Sequence, residues 1–254
     1  MVFTFLGTGT SQGVPMIGCP CKVCTSEDLR DKRLRSALMV ESDSSRVVID
    51  AGPDFRQQML SEKVNSLDAI LFTHEHKDHI AGLDDVRAFN YLQKKPMDVF
   101  ASAAVQLALQ REFFYVFSGD TYPGIPKITL HTITEAPFII SQINFLPIPV
   151  MHLNLSVLGF RIGDFSYITD ASFISDRSKE LLKGSKILVL NALRREKHVS
   201  HFNLEEALEI AQEINAGHTY LTHISHQLGT HEELIKELPS NVSCAYDGLK
   251  IPLF

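Results

Sequence analysis

The sequence predicts an α/β (α+β) sandwich in which two sheets pack face to face and helices cover both outer faces. Three observations carry that expectation. Short apolar runs rich in β-branched residues recur along the chain, helical patterns are interspersed among them, and strands outnumber helices in hairpin-like groups that a doubly wound sheet would not produce. In the first half, residues 2–6, 37–40, 47–49, 69–72 and 99–101 read as strands. In the second half the strand runs are 143–148, 157–162, 167–168, 187–190, 220–221 and 242–245. Residues 103–114, 175–183 and 231–238 have helical spacing. The clearest helix is 203–214 (NLEEALEIAQEI), where Asn203 caps a first turn carrying Glu205 and Glu206.

With 254 residues, 44% hydrophobic and 21% charged, the chain is too apolar and evenly mixed to be disordered. One layered domain spanning 1–254 buries roughly 75% of its unfolded surface. The balance of 24 Lys and Arg against 30 Asp and Glu, with no run of five like charges, argues against a nucleic-acid coat. Residues 136–160 carry no formal charge over 25 positions, enough to span a bilayer. They contain Pro137, Pro147 and Pro149 among polar residues, a poor membrane helix and a good pair of buried strands. The first ten residues lack a basic region and a long apolar stretch, so no signal peptide is expected and the protein reads as cytoplasmic.

Three of the four cysteines, Cys19, Cys21 and Cys24, fall within six residues, while Cys244 stands alone in an apolar stretch. That spacing suits a metal rather than a disulfide framework. The sharpest signal is Thr73-His74-Glu75-His76-Lys77-Asp78-His79, directly after an apolar strand. His74 and His76, two residues apart, point the same way from an extended strand end. Asp78 and His79 follow where the chain turns into a helix, placed to face a second ion. Imidazole and carboxylate suit zinc, manganese or iron. Four more residues of metal-binding type each end a strand: Asp50, His152, Asp170 and His223. Together they offer His74, His76 and His152 to one ion, Asp78, His79 and His223 to another, and Asp170 as a shared carboxylate.

This run, with a later strand-end His, Asp and His in that order, resembles the metallo-β-lactamase superfamily. Phe5-Leu6-Gly7-Thr8-Gly9-Thr10-Ser11-Gln12-Gly13-Val14-Pro15, followed by the Cys cluster, is similar to its PhnP-type phosphodiesterase branch, to which ribonuclease Z is related. The resemblance runs from Leu6 to Leu249. It implies a four-layer αββα fold and two active-site ions (manganese or zinc, or else iron) bridged by Asp170. It also implies a separate structural zinc on Cys19, Cys21, Cys24 and a late His, best matched by His226, and a role for Asp50 in orienting a ligand His. Relatives place a catalytic His before the helix at 203–214, a position that His201 matches; His198 reads as a helix-terminus histidine without chemistry, and His131, His218 and His231 fit no site and read as structural or surface residues.

The activity so implied is hydrolysis of a small phosphodiester, cyclic ribose or nucleotide-type, through a dinuclear site and a bridging hydroxide. Asp78 and His201 are the candidate catalytic residues. Thioester or lactone hydrolysis is the alternative on the same fold. A ribonuclease Z-like nuclease needs a flexible arm and basic surface that the sequence lacks. A metal or redox sensor is weakened by seven chemically competent ligand positions. Residues 83–132, with aromatics at 113–117, read as core or homodimer interface before pocket wall.

Overall fold

Strands that are apolar on both faces need cover on both sides, and the first sheet shows this directly. In the computed structural model, which describes residues 1–119 and 122–253, β2 (Ala37–Glu41) turns Leu38 and Val40 inward and Ala37 and Met39 outward, all buried. In β3 (Arg46–Ile49), Val47 and Ile49 face inward and Val48 outward. The other strands of this sheet are β1 (Val2–Gly7), β4 (Ala69–Leu71), β5 (Met97–Ala101), β6 (Ile128–Thr132) and β14 (Lys250–Pro252), in the order β14-β1-β2-β3-β4-β5-β6. The second sheet has the order β13-β12-β11-β10-β9-β8-β7. Its strands are β7 (Phe138–Ile140), β8 (Ile143–His152), β9 (Leu155–Ile162), β10 (Phe165–Tyr167), β11 (Ile187–Asn191), β12 (His218–Thr222) and β13 (Val242–Cys244).

The sheets share one plan. From β3 to β6 and from β10 to β13 neighbouring strands run parallel, and the remaining pairs are antiparallel. Parallel neighbours require crossovers, and helices supply them. Helices α1 (Phe55–Ser61), α2 (Lys77–Ile80), α3 (Arg87–Gln93), α4 (Ala103–Glu112) and α5 (Phe114–Phe117) lie between first-sheet strands. Phe55, Met59, Phe89, Val105 and Leu109 from these helices pack on the outer side of that sheet. Helices α6 (Asp176–Leu182), α7 (Leu204–Ile214) and α8 (His231–Glu237) cover the second sheet through Leu182, Ala207, Ile214 and Leu234. The result is the αββα sandwich expected from the sequence. Asn203 caps α7 in a full capping box with Glu206.

Three strands escape the apolar-run reading: β6, β7 and β14. β7 and β14 are three-residue edge strands and β6 is only partly buried, so their apolar signal is weak. The uncharged stretch forms three strands, β7, β8 and β9, rather than two, and its polar Ser141–Gln142 turn falls between the first pair. The helix expected at 103–114 stops at Glu112 because Phe113 leaves helical geometry and buries its ring under the first sheet. Tyr115, Val116 and Phe117 pack on the same cluster, so this segment is outer-layer core; residues 120 and 121 of the wider region lie outside the described residues. Among the described residues no helix is long and apolar enough to cross a membrane.

Between the sheets, Phe3 of β1 stacks on Phe165 of β10 with ring centroids 3.8 Å apart and planes 4° from parallel. Both rings are essentially inaccessible to solvent. Phe165→Ala is expected to lower the unfolding free energy by about 3–5 kcal/mol, read from denaturant melts of the full chain.

Candidate metal centre

Strand ends from both sheets meet at one end of the sandwich. Asp50 follows β3, the run Thr73–His79 follows β4, His152 closes β8, Asp170 follows β10 and His223 follows β12. Asp50, Asp170 and His223 have φ of 66°, 54° and 55°. Three non-glycine residues in the left-handed region at one locus is a concentration of backbone strain of the kind that functional sites carry. Each such turn follows the end of its strand; those at Asp170 and His223 bring the side chains together, and that at Asp50 brings its carboxylate behind His79.

Asp170 is the hub. Its Oδ1 lies 3.1 Å from His201 Nε2 and 3.2 Å from His223 Nε2, and its Oδ2 lies 3.3 Å from His79 Nε2. Asp78 Oδ2 is 3.2 Å from the same His79 nitrogen. The donor atoms of Asp78, His79, Asp170 and His223 all lie within 4.8 Å of one another. His74, His76 and His152 form an adjoining triangle, with ring centroids 4.7, 5.0 and 5.9 Å apart. The donor atoms of His152 also group with those of Asp170 and His201, all within 4.8 Å of one another.

Four imidazoles are anchored through Nδ1. His79 Nδ1 donates to Asp50 Oδ2 at 2.7 Å, and His152 Nδ1 donates to the Ser200 carbonyl at 2.6 Å. Thr73 gives its hydroxyl proton to Asp50, so His74 Nδ1 donates to Thr73 Oγ1 at 2.9 Å. Ser36 gives its proton to the Gly9 carbonyl, so His223 Nδ1 donates to Ser36 Oγ at 3.2 Å. Each bond fixes a tautomer and leaves Nε2 facing the cleft. His74 Nε2 and His79 Nε2 are buried without an aligned hydrogen-bond partner. Two carboxylate oxygens approach His79 Nε2, yet neither lies in hydrogen-bonding alignment. Orphaned ring nitrogens beside buried carboxylates are the donor set a divalent cation fits.

Electrostatics agree. Burial opposes ionisation of Asp78 and Asp170, but neighbouring imidazoles hold both below the usual carboxylate range. Burial pushes His74 and His152 down, and His223 down to about 4, so these rings stay neutral with a lone pair available. Burial also disfavours charge on His79, yet Asp170, Asp78 and Asp50 raise it well above the ordinary range. The carboxylates demand a positive charge, and a protonated His79 answers them within the protein alone.

His201 differs from the four anchored rings. Its Nδ1 meets the Ser200 hydroxyl at 3.1 Å and His198 Nδ1 at 3.2 Å. Neither is a committed acceptor, so Nε2 is free to carry the proton toward Asp170. Asp50, besides His79, accepts from the backbone N–H and hydroxyl of Thr73. It touches ring nitrogen and loop rather than the cleft. Ser36, Thr73, Ser200 and Asn191, whose side-chain amide brackets Ala171, are the supports that sequence reading missed. Thr73 adjoins the motif and was findable; Ser36 lies 187 residues from His223 and carries no sequence signal.

A second cluster stands nearby. The Sγ atoms of Cys19 and Cys21 are each 3.3 Å from His226 Nδ1, and with Cys24 these donors fall within 4.8 Å. Cys24 Sγ accepts from the Met16 N–H. The Cys24 N–H and His226 lower Cys21 to about 6, whereas burial raises Cys24 to about 11. Cys244 is buried in β13 as a thiol, away from this knot. His131 pairs with Asp98, His218 with Ser243, and His231 is buried against Tyr246, all outside both clusters.

Residues 45–224 match the family model described as a beta-lactamase superfamily domain. A solved structure titled a new diphosphatase from the PhnP family superposes with TM-score 0.92 at 42% identity, covering 98% of this chain and 96% of that one. A curated octanoyltransferase of Porphyromonas gingivalis is 40% identical over 248 residues, 96% of this chain and 50% of the relative. The chain thus spans about half the length of the curated relatives it matches. Zinc-bound PqqB of Methylobacterium extorquens shares the fold at TM-score 0.81 and 18% identity. The chain belongs to the metallo-β-lactamase superfamily, in its PhnP branch.

Proposed function

We propose that the protein is a metal-dependent hydrolase of a small phosphodiester. The observation that carries the reading is the cleft itself: Asp170 central, His79 and His223 with Asp78 on one side, His74, His76 and His152 on the other. Two divalent ions, manganese or zinc, fit this donor set, and the full-length likeness to a PhnP-family diphosphatase favours a phosphorus–oxygen bond over other linkages. Divalent ions bound there supply charge neutralisation at phosphoryl oxygens and activation of water at neutral pH.

The chain's own residues do the rest. Asp78 and Asp170 stay anionic and fix the charge balance of the cleft. Asp50 holds the His79 ring with its Nε2 inward. His201 holds a proton at Nε2, 3.1 Å from Asp170 Oδ1, and delivers it to the departing alkoxide. The proton that stays on Nδ1 is donated to Ser200 Oγ, so the ring ends as a neutral imidazole. The cysteine knot, with His226, offers four donors suited to a structural zinc, which would tie the N-terminal loop to the loop after β12.

A second reading comes from the octanoyltransferase relative: acyl thioester chemistry on the same cleft. The two separate on substrate. Metal-stripped protein reconstituted with manganese or zinc is expected to hydrolyse bis-p-nitrophenyl phosphate and leave an octanoyl thioester intact; the reverse result rejects the phosphodiesterase reading. Asp78→Ala is expected to bind one ion fewer by elemental analysis and to lose nearly all turnover. His201→Ala is expected to lose about 10²–10⁴-fold in kcat with metal content retained; loss of an ion in that variant makes His201 a ligand instead. For the knot, alkylation of the zinc-free protein at pH 7 is expected to label Cys21 at least about tenfold faster than Cys24. The sign follows from the thiols: Cys21 is mostly thiolate above about pH 6, while Cys24 stays protonated until about 11. Added zinc should suppress the labelling.

A further inference from the structure

A cleft of about 360 Å³ opens at the end of the first sheet opposite the metal centre. Strands β3 to β6 run parallel, and the candidate metal ligands of this sheet follow β4. The cleft lies where β5 and β6 begin, at residues 94–96 and 123–127, with α3 as its third wall. Its volume is that of a small-molecule site, a class spanning about 300–1,000 Å³.

Hydrogen bonds fix the walls. The Asn90 amide donates to the carbonyls of Lys95 and Lys127 and accepts from the Lys127 N–H. The Tyr91 hydroxyl donates to the Pro123 carbonyl at 2.9 Å, which holds its exposed ring beside that loop. Both polar groups are thus spent on the backbone, and what is left for a ligand is charge and apolar surface.

The charge is one-sided. Arg87, Lys94, Lys95 and Lys127 line the cleft, and among the described residues no carboxylate does. This runs against a chain whose net charge is −6. Arg87 pairs with Asp84 and Lys95 with Asp68, both from outside the lining. Lys94 and Lys127 have no ion-pair partner among the described residues, so two positive charges stay unanswered. The C-terminal end of α3 favours Lys94 and Lys95, but Arg87 stands at the other end of that helix. Lys127 also guards edge strand β6, yet neither effect gathers all four heads into one cleft. Like charges held together repel, and a bound anion offsets the repulsion. A phosphate monoester carries about two negative charges above pH 7 and three acceptor oxygens, enough to meet two ammonium groups at once. Pro96, Pro123, Ile125 and the Tyr91 ring offer cover to its ester body.

We propose that this cleft binds a phosphate monoester, with Lys94 and Lys127 holding the dianionic head. The site is separate from the metal centre and does not depend on the reaction assigned there.

The test is titration of the zinc-loaded, nitrogen-15-labelled full chain with phenyl phosphate at pH 8, followed by backbone amide shifts. Saturable shifts are expected at residues 87–95 and 127. Phenyl sulfate, of the same shape with one charge fewer, is expected to bind there at least three-fold more weakly. Both lysines are exposed, and Lys94 has a φ of 54°, which Asn tolerates. The double substitution Lys94→Asn with Lys127→Gln is therefore expected to keep its zinc content and to bind at least five-fold more weakly, in line with two exposed charge contacts. Phosphate monoesters also occur as lipid headgroups, so vesicles of phosphatidic acid in phosphatidylcholine form a second arm. Sedimentation of the wild type with these vesicles but not with pure phosphatidylcholine, lost in the double variant, supports the site and makes a lipid its source. Shifts confined to residues 73–79 and 223 without vesicle binding, equal affinity for phenyl sulfate, or binding unchanged in the double variant each overturn the proposal.

Discussion

Asp170 sits fully buried with three imidazole nitrogens within 3.3 Å of its oxygens, and the site is organised around keeping that carboxylate charged. A buried anion without compensation costs several kcal/mol. Compensation here cannot come from one neighbour, because the partners lie on three different connections: after β4, before α7 and after β12. The sandwich makes them neighbours by ending strands of both sheets at one edge. The left-handed turns at Asp50, Asp170 and His223 are tolerated because strands on either side are locked into the core. Strain at the rim is sustained by stiffness below it.

The same layout sorts the histidines. Eleven are present, and type alone does not separate them. What separates them is the partner at Nδ1. His74, His79, His152 and His223 each have a committed acceptor there, so their Nε2 atoms face the cleft. His201 meets a hydroxyl and another imidazole, and so is left able to carry a proton toward the cleft. The contrast separates four anchored rings from an unanchored one within one cluster, through hydrogen bonds that never reach the cleft.

The cysteine knot and the metal centre are two clusters on one loop system. The Thr10 N–H donates to the Ile224 carbonyl and the Ile224 N–H to the Thr8 carbonyl, and His223 and His226 stand three residues apart.

The sequence by itself determined the layers, because strands apolar on both faces demand cover on both sides whatever their order. It also determined the donor inventory: the His74–His79 run and the strand-end residues were legible because metal-binding residue types stood at strand ends. It could pair Cys19, Cys21 and Cys24 with one another by spacing, but it reached His226 only through family resemblance. Edge strands β6, β7 and β14 were not legible, since short or part-exposed strands carry little apolar signal. Only the tertiary structure decided that His201 lies as close to Asp170 as the ligand rings do. It alone supplied Ser36 for His223 and the Ser200 carbonyl for His152. These contacts join residues tens to hundreds of positions apart, and a hydrogen bond between distant segments leaves no local periodicity to read.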